Sequence, residues 1–254
     1  RIMTSLLNFF YKPKRARILA PLIATAAISL NACIVNQAEE NPATGQLEIL
    51  APYPGFIPIS PQGDWAISGN AEAVRDQMSM VDRKGRHAMQ IKTGSQNFVI
   101  VRRTQAMMLA TPFLRWDWLM DAHGVGTHPV RLVVGFHGGN PKSGSWGGSP
   151  FKWLGSKLPP HDRALLVTWE DSALQRGNIL FPNNQQKAVP RYVIRGGREN
   201  VGRWFSEFLD LSELYTNAWP NDDFGQVRVM FIGMAVARSQ KPTSALITNV
   251  MLTR

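Results

Sequence analysis

The chain has 254 residues, 44% hydrophobic and 18% charged, with a single cysteine and a formal net charge of +10. One cysteine excludes an intramolecular disulfide framework and any paired-cysteine metal site. Five of the cations, Arg1, Lys12, Lys14, Arg15 and Arg17, fall with no acid in the first 32 residues, and the rest of the chain carries only +5, so the basic balance belongs to a leading segment and no nucleic-acid partner is expected.

That segment reads "YKPKRAR" and then "ILAPLIATAAISL", a positive region followed by a short apolar one, the order of a secretory signal. Thirteen apolar residues reach only about 20 Å as a helix, short of a hydrocarbon core of about 30 Å. The run ends in Leu30, Asn31, Ala32 and Cys33, which resembles the bacterial lipoprotein box. The resemblance implies a signal peptide over residues 1–32, lipidation of Cys33, and a protein of the bacterial cell envelope held to a membrane by that lipid and facing the periplasm or exterior. "NQAEENPATGQ" follows at once, polar and broken by Pro42 and Gly45, and reads as a flexible tether over residues 33–46.

Residues 47–254 are enough for one domain with a substantial core. Period-two alternation predicts strands in "GDWAISG", "HAMQIKTG" and "NFVIVRRT", and again in "TPFLRWDWLM", where Leu114, Trp116, Trp118 and Met120 share one face. "HPVRLVVGF", "RALLVTWE", "RYVIRGG", "QVRVMFIGMAV" and "SALITNVML" complete the set, separated by Gly, Pro, Asn and Asp at the spacing of sandwich strands. Only "ENVGRWFSEFLDLSELYTNAW" places apolar residues at helical spacing, with Trp204, Phe208, Leu211 and Tyr215. No βαβ rhythm is visible. The fold class is therefore all-β, a β-sandwich with one helical excursion. Trp116, Trp118, Trp169 and Trp204 lie inside periodic segments and are expected in the core.

From about Ala106 to Arg254 the order "LRWDWLMD", "RLVVGF", "ALLVTWE", "GNILFPN", "RYVIRGG", "VGRWFSEFLDLSELY", "VRVMFIGMAV" resembles a bacterial envelope family catalogued as domain of unknown function three-zero-four-seven. The resemblance implies a jelly-roll sandwich of the galactose-binding or carbohydrate-module kind and assigns no activity.

Catalytic motifs are incomplete. "GFHGGN" at 135–140 is similar to the oxyanion loop of esterases, but no G-x-S-x-G nucleophile elbow accompanies it. Asp121, His123, His128 and His137 lie close in sequence without a recognisable zinc spacing and read as solvated loop residues. Glycoside hydrolysis needs two carboxyls converging across a sugar. Glu170 with Asp171, or Asp222 with Asp223, are adjacent pairs that would point to opposite faces of a strand, so they read as exposed charge at strand ends.

The glycine-rich stretch "GGNPKSGSWGGSPFKWLGSK" is more informative. Trp146 and Trp153 fall there without core periodicity, with His137, Asn140 and Lys142 nearby. Loop tryptophans flanked by glycine offer flat apolar faces to a sugar ring, and the polar neighbours suit hydroxyls. The expected function is a non-catalytic, lipid-anchored binder of a glycan or other envelope component, with no cofactor and no metal. Two alternatives are an accessory subunit docking on a larger membrane protein complex and a glycan-acting hydrolase.

Overall fold

The computed structural model describes residues 44–50, 65–140, 158–181 and 189–254. Cys33, Lys142, Trp146 and Trp153 lie outside the described residues.

Among the described residues thirteen strands and two α-helices follow in chain order: β1 (Gln46–Leu50), β2 (Trp65–Gly69), α1 (Ala71–Gln77), β3 (Met78–Arg83), β4 (Arg86–Lys92), β5 (Phe98–Met107), β6 (Phe113–Met120), β7 (Val130–His137), β8 (Arg163–Glu170), β9 (Ile179–Leu180), β10 (Arg191–Gly196), β11 (Trp204–Asp210), α2 (Leu211–Ala218), β12 (Arg228–Val236) and β13 (Ser244–Thr253). They form two sheets, a jelly-roll-like sandwich. The first runs β11-β6-β13-β4-β3, with β1 added to β13 beyond β4; the second runs β2-β5-β12-β7-β8-β10-β9. Pairing is antiparallel except between β10 and β8, which lie parallel because β9, antiparallel to β10, intervenes between them in the chain and the direction reverses twice.

Alternation builds the core as the sequence predicts. Leu114, Trp116, Trp118 and Met120 of β6 face Val130, Leu132, Val134 and Phe136 of β7 and Leu165, Val167 and Trp169 of β8 in one buried cluster. Trp118 meets Trp116 edge-on at 5.5 Å and Trp169 at 5.8 Å, so three indoles tie the sheets together. Each is at most 1% exposed, and truncating any to Ala would cost about 3–5 kcal/mol.

The other face of the second sheet is apolar too. Val99, Val101, Val133, Leu166 and Phe231 form a second buried cluster there. Phe231 lies directly over Gly135, where a Cβ would come within 2.2 Å of its ring. The polar, solvent-facing side of a sandwich strand therefore belongs mainly to the first sheet.

Trp204 does not join the core. It lies on the outward face of the first sheet, packed with Ala88, Leu119 and Leu246, and the Arg86 guanidinium sits 5.0 Å above its ring while pairing with Asp117 at 3.0 Å. The reason is that 204–210 is a strand and not the start of a helix. A spacing of four residues satisfies period two as well as period 3.6, so Trp204 and Phe208 share a face in either structure. The helix begins only at Leu211, where the Asp210 carboxylate accepts from the N–H groups of Ser212 and Glu213 as an N-cap.

Candidate functional site

Of the residues singled out in the sequence, His137 and Asn140 are described. They stand at the root of the glycine-rich loop, His137 as the last residue of β7 and Asn140 just beyond it, and His137 Nδ1 lies 3.4 Å from Oδ2 of Asp162, whose side chain is only 3% exposed. The N–H of Gly138, a glycine at φ +101°, donates to the same oxygen at 2.9 Å. Beside it, Arg163 grips Asp222 through two hydrogen bonds of 2.8 Å, and the Tyr215 hydroxyl donates to Asp222 at 2.8 Å. Burial, reinforced by that bond, pushes the Tyr215 hydroxyl pKa upward. A Cβ on Gly139 would strike the Tyr215 hydroxyl, so the glycines let the loop start close against this network. The arrangement is a clasp that fixes where the loop leaves the sheet.

The sequence reading of the carboxylates as exposed charge is overturned for Glu170 and Asp222, while Asp223 is exposed. Side chains of Glu170, Asp222 and Glu207 are 3–6% exposed and engage Arg191, Arg163 and Arg195 respectively, because a carboxylate inside a protein persists only when paired. His128, expected in solvent, is fully buried. Its Nδ1 accepts from the Val130 N–H at 3.1 Å, and burial pushes its pKa down to about 3. Among the described residues no group of three or more His, Cys, Asp or Glu converges as metal ligands would.

An open cleft of about 500 Å³ lies where the edge strands of the two sheets meet α2. Phe113 and Phe208 stack at 4.9 Å on one wall, and Phe208 remains 55% exposed. Tyr192, on β10, and Ile179, on β9, also line it, as do the polar residues Asp210, Glu213 and Asn217 at the start of α2 and along it. The cleft thus combines apolar ring surface with side-chain acceptors and a carboxamide. At Asp210 burial, which would raise the pKa, is outweighed by hydrogen bonds from Ser212 and Glu213, and the pKa is lowered.

No protein-family model matches the sequence, and no curated protein matches it. Solved structures are similar at a distance: the family 11 carbohydrate-binding module of the cellulosomal cellulase Lic26A-Cel5E of Clostridium thermocellum at 8% identity, over 81% of this chain and 93% of that one, with a TM-score of 0.37; the mannan-recognising module TmCBM27 at 14% identity, over 77% and 93%, with a TM-score of 0.30; and endoglucanase 3 of family GH12 from Trichoderma harzianum at 9% identity, over 84% and 98%, with a TM-score of 0.39. At that distance they carry no weight for ligand or chemistry, and the fold assignment rests on the two sheets themselves.

Proposed function

We propose that this chain is a non-catalytic, lipid-anchored protein of the bacterial envelope that binds a glycan in the cleft between β11, α2 and the β9–β10 pair. The observation that carries the reading is the cleft's lining: half-exposed Phe208, stacked on Phe113, together with Tyr192 of β10 and the polar residues Asp210, Glu213 and Asn217. A sugar ring presents one apolar face for stacking and a rim of hydroxyls that donate to carboxylates and amides, so these side-chain types complement it. The envelope address is supported by Cys33 in its lipoprotein-like box and by the resemblance of residues 106–254 to the envelope family.

The test is a glycan array probed with the wild-type protein and with Phe208→Ala. Retention of a defined set of glycans by the wild type, lost in the variant, is the expected result. Equal retention by both places any binding elsewhere, and absence of retention turns the reading toward an accessory subunit of a membrane assembly.

A further inference from the structure

A second concavity, of about 280 Å³, lies at the opposite end of the sandwich from the cleft. β6 fixes the relation: Phe113, at its start, lines the cleft, and Ala122, just past its end, lines the second pocket, a separation of about 30 Å along an extended chain. Three connections converge there. Ala122, His123 and Val125 come from the segment after β6, Arg198 and Val201 from the one between β10 and β11, and Lys241 from the one between β12 and β13.

The charges in this pocket are one-sided. Arg198 and Lys241 form no side-chain hydrogen bond or ion pair with any described residue, and no carboxylate lines the space. Asp171 and Glu170 attract His123 electrostatically but do not line the pocket, and Glu170 is already occupied by the Thr127 hydroxyl and by Arg191. Solitary surface cations are ordinary; two unpaired ones and an imidazole closing on one hollow with apolar walls are a different arrangement. Its volume would hold on the order of nine waters, more than a bare ion needs and enough for the group that carries it.

We propose that this pocket binds an oxyanion borne on a small polar organic group, a phosphate ester or a carboxylate, with Arg198 as the planar fork, Lys241 as the second cation, and Val125 and Val201 against the carrier. This site is independent of the cleft and of what the cleft binds.

The test is isothermal titration of the full chain in mild detergent with three probes: glycerol 3-phosphate, glucuronate and inorganic phosphate. Binding of at least one organic probe that weakens about tenfold for each of Arg198→Gln and Lys241→Gln, and weakens again at high salt, is the expected result. Preference for glycerol 3-phosphate identifies a phosphate ester, and preference for glucuronate a sugar carboxylate. Arg75→Gln, on the exposed face of α1, serves as a control for general charge. The proposal fails if no probe binds in millimolar excess, if only inorganic phosphate binds, if the double variant binds like the wild type, or if Arg75→Gln weakens binding equally.

Discussion

Arg195 and Glu207 join the two sheets across the open side of the sandwich, Nε to Oε1 at 2.6 Å and Nη2 to Oε2 at 3.1 Å. The same carboxylate accepts from the Trp118 indole at 3.1 Å, and the Arg195 guanidinium lies 4.0 Å from the centre of the Phe205 ring. One acid therefore satisfies two buried donors on different layers. Glu207→Ala would leave both unpaired and is expected to cost about 3–5 kcal/mol in urea unfolding. A Glu207→Leu, Arg195→Met double variant should recover most of that loss, because it removes the orphaned charge. A Glu207→Ala loss below about 1 kcal/mol would mean that the pair is no better than a surface contact.

Acid should destabilise the fold through His128. Its folded pKa of about 3, depressed first by burial and then by His123, lies well below the ordinary histidine value of 6.5, so the unfolded chain takes up the proton first. The stability this residue contributes is fully present above about pH 6.5 and is lost as pH falls toward 3, at about 1.4 kcal/mol per unit. Melting temperature followed from pH 7 to 4 should decline for the wild type and decline less for His128→Gln. Parallel curves would refute the assignment.

The cleft makes a separable prediction. With its ring 55% exposed, Phe208→Ala should shift stability by less than about 1 kcal/mol. Glycan binding should weaken by about 1–3 kcal/mol, the scale of aromatic stacking on bases. Calorimetric melting and affinity measured on the same sample separate these effects, and a large fall in melting temperature would make Phe208 a structural residue.

For Trp146 and Trp153, melting alone decides between a sugar-stacking face and a packed one. Replacement of either by Ala is expected to leave stability nearly unchanged, whereas a buried indole would cost about 3–5 kcal/mol.

Lipidation is tested at Cys33. Metabolic labelling with a fatty-acid analogue should mark the wild type and not Cys33→Ser; label on the serine variant, or none on the wild type, defeats the lipoprotein reading.

Alternation made the strands legible: Trp116, Trp118 and Trp169 sit in the core where period two puts them. It could not tell a strand from a helix at 204–210, because Trp204 and Phe208 are four apart, a spacing both structures use. The buried carboxylates were hidden for another reason. Nothing local to Glu207 or Asp222 signals that an arginine 12 or 59 positions away will neutralise it. Likewise the cleft draws Phe113, Tyr192, Phe208 and Glu213 from separate elements, so no motif could have announced it. His137 and Asn140 were found by their loop composition, but the partner that defines His137, Asp162, comes from the far end of that loop.

One row of the first sheet has a practical meaning. Gln46 pairs with Thr253, Thr253 with Phe113, and Phe113 with Asp210, so only three strand spacings, about 14 Å, separate the first residue of β1 from the cleft. Arg254, adjoining Thr253, stands in the same row. A fluorescent label or bead coupled at Arg254 would therefore sit close to the cleft. Labels for ligand screening belong away from this row.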